Sequence, residues 1–581
     1  MNKSLIFLVI AIIAIISVDS KLLHKQRYET EFQQPKPEYQ IDRKSKEYFD
    51  HSYLNLDITA SPEDYLVTDL PGLQVELEHY AGLIQVDSVN DGNLFFWFFP
   101  AVNSTPETPF VIWINGGPGC SSQDGLFLET GPFRLKKNDS GDINIDINPW
   151  SWTTVANVLY IDQPVGTGLS YVTNNSGICT TDLEIEQDFY QFLQSFYGIF
   201  SNYSKNPLTI SGESYAGHYI PHFSTYILAM NEKIQAGEFN GTLINLYGNA
   251  IGNGWTHPIT QYDSYSQIAY GVGFIEEQQL EYYGVLLEAC QNQIKSGNYN
   301  SLECGDVLNQ LENDTGNAAD GMVNVYDFTL FDSDGGSSWP SGVPLEQEFL
   351  DLPAVRSAIH ATAVPHPWNE CNSTVFAYLT NQDESSLDLL IESLASIKVM
   401  VYNGNYDIIC NHIGTTEYLD EMQWSGAAEW ANASRYIWTA PSYVNDTDVI
   451  TAGYTKSSQN LTFVLVLDCS HMCPMDQPAT THEMISRFIS GKSFNDHEQA
   501  TSPYIPPASS PTPSPTPTPT EDNDSHSNKD TNNQPSKSKT LPTGAWIGII
   551  IGGVVFGLVA GAFAAIFINK YKSQHSYTLL N

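Results

Sequence analysis

The chain predicts an α/β fold: a mostly parallel central sheet with helices on both faces, a helical cap insertion and one C-terminal transmembrane helix. Three observations carry the reading. Over residues 56–498, short apolar runs of buried-strand length alternate with helix-period stretches, the pattern of strands joined by crossover helices. Two of those runs end in glycine-dense turns whose backbone can approach a ligand closely. From about Thr256 to Ala395 the alternation gives way to helical and Gly/Asn-rich segments, as expected of an insertion capping a site at the carboxyl ends of the strands.

The N-terminus reads as an address. Lys3 precedes the apolar run Leu5 to Val18, and Val18 and Ser20 occupy the small-residue positions of a cleavage site. Residues 1–20 are therefore expected to be a signal peptide and 21–55 a lead-in. N-x-S/T sequons at Asn103, Asn138, Asn174, Asn202, Asn240, Asn313, Asn372, Asn432, Asn445, Asn460 and Asn523 agree with passage through the secretory pathway. Asp91-Gly92-Asn93 before the run Leu94 to Phe99 predicts a hairpin. Further strands are expected at Phe110 to Ile114, Val158 to Ile161, Leu208 to Ile210, Leu243 to Tyr247, Val399 to Tyr402 and Phe463 to Leu467. The clearest helix starts after Thr181, with Ile185, Phe189, Phe192, Leu193, Phe196 and Phe200 at helical spacing.

Residues 499–543 switch to Pro, Ser, Thr, Asn and Asp with Pro-Thr-Pro repeats, a composition that builds no core and reads as an extended lumenal stalk. Ala545 to Ile568 follow, 24 uncharged and mostly apolar residues. At about 1.5 Å per residue they suffice for roughly 30 Å of hydrocarbon. Lys570 and Lys572 come next, which puts the tail 569–581 in the cytosol and makes the chain a single-pass type I membrane protein with a lumenal catalytic domain. A lipid-anchor signal fits less well, because polar and charged residues follow the span. Tyr577-Thr578-Leu579-Leu580 resembles the tyrosine-x-x-bulky signals read by sorting adaptors. It points to the trans-Golgi network or the endosome and lysosome, with chance as the alternative for so short a motif.

A formal charge of −41 argues against nucleic acid and anionic membrane surfaces as partners. It suits an acidic lumen, and equally a secreted protein kept soluble by solvated carboxylates. Eight cysteines fit an oxidising compartment.

The chemistry centres on Gly212-Glu213-Ser214-Tyr215-Ala216-Gly217, a G-x-S-x-A variant of the nucleophile elbow lying between a strand and a helix. Small residues there permit a bend that exposes Ser214 at a helix N-terminus, where backbone N–H groups can hold an oxyanion. The second turn, Asn115-Gly116-Gly117-Pro118-Gly119-Cys120-Ser121-Ser122, is placed to supply another such N–H; Gly117 and Tyr215 are the expected oxyanion donors.

These two stretches, with Tyr160-Ile161-Asp162-Gln163-Pro164-Val165-Gly166-Thr167-Gly168-Leu169-Ser170-Tyr171 and Gly252-Asn253-Gly254-Trp255, resemble the signature motifs of the serine carboxypeptidase family of α/β-hydrolases over about Tyr65 to Ile489. The resemblance implies a Ser, Asp, His order. Asp407 matches the family's G-x-x-D-x-x-C-N turn as the orienter. His471 matches the base of H-M-V-P-x-D-x-P, with Cys473 departing from the usual valine. It also implies that Asn115, the N–H of Gly116, Glu129 and Glu213 grip the substrate's terminal carboxylate. Carboxyls clustered around a carboxylate cannot all ionise, so an acid optimum is expected.

By the same resemblance Asp124, Cys410 and Met472 line the pocket for the leaving residue, and a carboxylate at Asp124 would favour Lys or Arg; the alternative is that Asp124 caps the following segment. With stalk, span and tail, this looks like the Golgi-resident members of the family that trim basic residues. Cys120 is implied to pair with Cys371, while Cys290 and Cys304 make a plausible second bridge and Cys410 resembles a free thiol. Partners for Cys179, Cys469 and Cys473 stay open, a small disulfide between the last two included. The expected partners are peptide and protein C-termini, with no cofactor and no metal. Oligomeric state is not legible. Acyl transfer, ester hydrolysis and a non-enzymatic receptor on the same scaffold are the rival readings.

Overall fold

The computed structural model of the protein describes residues 53–54 and 59–494, except 103, 317–320, 333–335, 337, 380 and 442–448. The expected signal peptide, stalk, span and sorting tail lie outside these residues. Among the described residues no helix is long and apolar enough to cross a membrane.

The strands in chain order are β1 (Tyr80–Asp87), β2 (Gly92–Phe99), β3 (Phe110–Ile114), β4 (Phe133–Lys137), β5 (Ile143–Ile147), β6 (Asn157–Asp162), β7 (Leu208–Ser214), β8 (Leu246–Gly254), β9 (Met322–Val323), β10 (Phe331–Asp332), β11 (Lys398–Gly404), β12 (Arg435–Pro441), β13 (Val449–Ser458) and β14 (Leu461–Val466). Ten of them form one sheet in the order β1-β2-β6-β3-β7-β8-β11-β14-β13-β12; β4 pairs with β5 and β9 with β10 separately. The six central strands, β6 to β14, run parallel, and each edge is finished by antiparallel strands. Crossover helices make such a sheet parallel and bury both its faces.

Period-two alternation sorts the side chains. Phe96 and Phe98 of β2 and Phe110, Ile112 and Ile114 of β3 enter one core. Phe95, Trp97 and Phe99 with Val111 and Trp113 enter the other. The first core is closed by the helix Asp182–Ile199, whose Ile185, Phe189, Phe192, Leu193 and Phe196 all face it, and by the helix Ala216–Ala236. Thr181 and Glu184 cap the first of these with a reciprocal pair of side-chain bonds.

Two expectations are corrected. The strand expected at Leu243 to Tyr247 begins at Leu246 and continues through the Gly/Asn-rich stretch to Gly254. Leu243 is exposed, and pairing with β7 and β11 on both sides holds a segment of low strand propensity extended. The insertion from about Thr256 to Ala395 is not one cap. The helices Pro258–Gly271, Glu277–Lys295 and Leu302–Thr315 build a core of their own around Tyr265, Tyr283, Leu287 and the Cys290–Cys304 disulfide. By contrast Phe349, Leu350, Val355 and Trp368 join the second main core, and Leu390 and Leu394 the first.

Asn138, Asn174, Asn202, Asn240, Asn313 and Asn432 are exposed, whereas Asn372 and Asn460 are half-buried. Their amide nitrogens donate to the carbonyls of Gly166 (2.7 Å) and Leu394 (3.0 Å), as those of Asn313 and Asn432 do to Asn309 and Ala428 (2.7 Å each). Asn103, Asn445 and Asn523 lie outside the described residues.

Candidate active site

Parallel strands deliver their ends to one rim. Ser214 closes β7 with φ +59°, a left-handed conformation uncommon for a side-chain-bearing residue, and its carbonyl accepts from Trp255 N–H at 2.8 Å. The bend demands glycine beside it: a Cβ on Gly212 would lie 2.1 Å from the Ile114 carbonyl oxygen, and one on Gly116 2.3 Å from Tyr215 N. The elbow and the loop after β3 are therefore pressed backbone to backbone. Gly117, Ser214, Tyr215 and Cys410 line one cavity of about 280 Å³, together with Trp255, Tyr262 and Asp383.

Asp407 and His471 follow β11 and β14, two neighbouring strands. His471 Nδ1 meets Asp407 Oδ2 at 2.8 Å, with the carboxylate wholly buried. Asn253 Nδ2 donates to the same oxygen at 2.7 Å, and Cys410 N–H to Oδ1 at 3.2 Å. His471 Nε2 is buried with no hydrogen-bond partner among the described residues, Ser214 included; in serine hydrolases the contact between base and nucleophile often tightens only once substrate is bound. The Cys469–Cys473 disulfide brackets His471, and Ser470 binds Asp476 through its backbone N–H at 2.8 Å. This pins the loop that carries the imidazole.

Glu129, on the short helical turn Gly125–Glu129, and Glu213, directly before the nucleophile, are both buried. Asn115 Nδ2 donates to Glu213 Oε1 at 3.0 Å, and Trp113 Nε1 orients Asn115 through its Oδ1 at 2.7 Å. Burial raises both carboxyls; the Glu129 charge raises Glu213 further, whereas the hydrogen bond with Glu213 draws Glu129 partly back down. Two such groups facing each other in a dry site share a proton, and the protonated member is a donor for a third carboxylate.

The loop itself is anchored at its base. Cys120 is bonded to Cys371, Ser121 N–H donates to the Glu370 carbonyl at 2.7 Å, and Asp162 accepts from Ser121 Oγ, Ser122 N and Leu169 N, each at 2.8 Å. Cys290 is bonded to Cys304, while Cys179 and Cys410 are buried free thiols. Burial raises the Cys410 thiol, so it stays neutral.

Asp124 and Met472 are buried and are not among the residues lining the cavity. Asp124 also makes no capping bond to the turn that follows. Its carboxyl packs against Glu346, and burial raises both. The carboxylate that does reach the cavity is Asp383, pushed up to about 6 by burial and accepting from Tyr262 Oη at 3.0 Å. Sequence reasoning missed Asp383, which sits in an unremarkable polar stretch. It also gave Asn253 no role, although the Gly252-Asn253-Gly254-Trp255 motif contained the signal.

The family model described as serine carboxypeptidase matches residues 71–491. The chain belongs to the serine carboxypeptidase family. "Serine carboxypeptidase S10 family member 2" of Dictyostelium discoideum is 46% identical over 570 residues, 96% of this chain and 95% of that one. A "Pheromone-processing carboxypeptidase kex1" of Talaromyces stipitatus is 36% identical over 449 residues, covering 74% and 70% respectively. Among solved structures, the crystal structure of Kex1Δp, a prohormone-processing carboxypeptidase from Saccharomyces cerevisiae, superposes with a TM-score of 0.68 at 31% identity, over 74% of this chain and 96% of that one. This serine carboxypeptidase thus has the α/β-hydrolase architecture its motifs foretold, and its activity is that of a serine-type peptidase acting at peptide C-termini.

Proposed function

We propose that this carboxypeptidase removes C-terminal Lys or Arg from peptides and proprotein fragments at acid pH, in the secretory pathway. Ser214 attacks the last peptide carbonyl, His471 takes its proton through Nε2 and returns it to the departing amino acid, and Asp407 holds the imidazole through Nδ1. The N–H groups of Gly117 and Tyr215 bind the oxyanion, and water then resolves the acyl-enzyme.

The observation that carries the exopeptidase reading is the buried Glu129–Glu213 pair tied to Asn115 beside Ser214. Such a pair grips a free carboxylate only while it holds a proton, so binding weakens as pH rises through its titration. A basic leaving residue is supported by Asp383 in the lining: burial raises its carboxyl to about 6, and a bound Lys or Arg cation would draw it back down and hold it ionised at acid pH. The names of the relatives, pheromone-processing and prohormone-processing carboxypeptidases, support a role in trimming the C-termini of processed peptides. The leader, stalk, span and tail read from sequence complete the proposal of a type I protein of the trans-Golgi network or endosome and lysosome.

Mass spectrometry of peptides ending in Lys, Arg, Leu and Phe, incubated with the purified full chain at pH 5 and pH 7.5, tests it. Loss of Lys or Arg should be fastest at pH 5, absent from the C-terminal amides, and reduced by several orders of magnitude in Ser214→Ala. Equal trimming of amidated peptides, or full activity in Ser214→Ala, would overturn the assignment.

A further inference from the structure

A second cluster lies behind the oxyanion loop, between the helices Asp182–Ile199 and Ala216–Ala236, and the hydrolytic reaction makes no use of it. His218 and His222 stand four residues apart on one helix and present their rings to Asp182 at the first turn of the other. His218 Nε2 is 3.0 Å from Asp182 Oδ1, and His222 Nε2 is 3.7 Å from Oδ2. One donor atom from each residue falls within 4.8 Å of the other two.

We propose that Asp182, His218 and His222 bind a zinc-class divalent metal ion. Two histidines at i and i+4 on a helix are a recurrent pair of zinc ligands, and a carboxylate from a neighbouring element completes a three-ligand set with one position left for water. Ligand atoms on a tetrahedron with bonds of about 2.0–2.1 Å stand about 3.3 Å apart. The observed 3.0 and 3.7 Å separations lie on either side of that value but run to different oxygens of Asp182, so the ion is taken up by a carboxylate that turns one oxygen toward both rings or offers both.

The surroundings point the same way. Glu186, itself buried, meets His222 Nδ1 at 2.7 Å, which commits that nitrogen to the carboxylate and turns Nε2 toward Asp182. A carboxylate on the far nitrogen of a ligating histidine is the usual support in metal sites. Asn381 Nδ2 donates to Asp182 Oδ2 at 2.6 Å and fixes the carboxylate plane. Asp182 and His222 keep 16% and 10% of their side chains exposed, an approach for the ion, while His218 is closed off at 1%. The His218 ring also stacks on Tyr215, centroids 4.9 Å apart, so a bound ion would stiffen the residue after the nucleophile.

This proposal does not rest on the peptidase reading, and its test reads binding. The metal-stripped full chain is titrated with Co²⁺, followed by visible absorption, and with Zn²⁺, followed by calorimetry and the shift in Tm. One tight equivalent is expected in the wild type and in Cys410→Ser. Affinity should fall about tenfold or more in His222→Ala and in Asp182→Asn, and about 10–100-fold in Glu186→Gln. The Cys410→Ser arm matters because Asp407, Cys410 and His471 also bring three donor atoms within 4.8 Å. No uptake by wild type that is folded by circular dichroism, unchanged affinity in His222→Ala and Asp182→Asn, or loss of the ion in Cys410→Ser would each overturn the assignment.

Discussion

Replacing Glu213 with glutamine isolates the proton that the proposed carboxylate-binding pair, Glu129 and Glu213, would share. The change keeps the acceptor that Asn115 Nδ2 reaches at 3.0 Å and gives position 213 a permanent donor toward Glu129. In the wild type burial raises both carboxyls, Glu129 to about 8 from a usual 4.5. A carboxyl raised by folding stabilises the fold fully below its unfolded pKa, and that stability is lost as pH rises through the folded value. At about 1.4 kcal/mol per unit, a carboxyl that keeps its proton to about 8 forfeits roughly 4 kcal/mol between pH 5 and pH 8. Glu213 is raised as well, so Glu213→Gln removes its share of the pH-dependent loss while that of Glu129 remains, and the variant should gain stability relative to wild type between pH 5 and pH 8 in urea unfolding. The Michaelis constant for a peptide with a free C-terminus should climb with pH in the wild type and less steeply in the variant. Wild type and variant running parallel in both measurements would refute the shared-proton argument.

Two further outcomes follow from the site's supports. Asn253→Ala removes a charge-assisted bond to Asp407, worth about 1.5–3 kcal/mol, so kcat should drop about 10–100-fold with the Michaelis constant nearly unchanged in steady-state kinetics. Gly212→Ala sets a Cβ 2.1 Å from the Ile114 carbonyl oxygen and forces β3 and β7 apart; a lowered Tm and a reduced fraction of sites labelled by a fluorophosphonate should appear together.

Local signals were legible where residues act on their own neighbours. The hairpin at Asp91-Gly92, the capped helix after Thr181 and the strand-turn-helix at Ser214 all depend on interactions within a few residues, and each appears where the chain predicts it. Motif order brought Ser214, Asp407 and His471 to one rim before any coordinates, because parallel strands must end on the same side. β12 and β13 gave no such signal. Exposed Tyr436, Ile437 and Tyr454 blur their alternation, and an edge hairpin is defined by pairing with β14 rather than by its own pattern.

Sequence by itself determined the family and the α/β class, and it carries the expectations of a nucleophile with its base and orienter, of a leader and of a membrane anchor, since each is written in short contiguous motifs. Tertiary structure alone decided which carboxylates share a cavity. Asp124, directly before the buried turn Gly125–Glu129, is turned inward against Glu346, while Asp383, far along the chain, reaches the space beside Ser214. It likewise brought Asp182 to His218 and His222 across two packed helices. Which side chains meet depends on the docking of elements distant in sequence, and no local pattern records that distance.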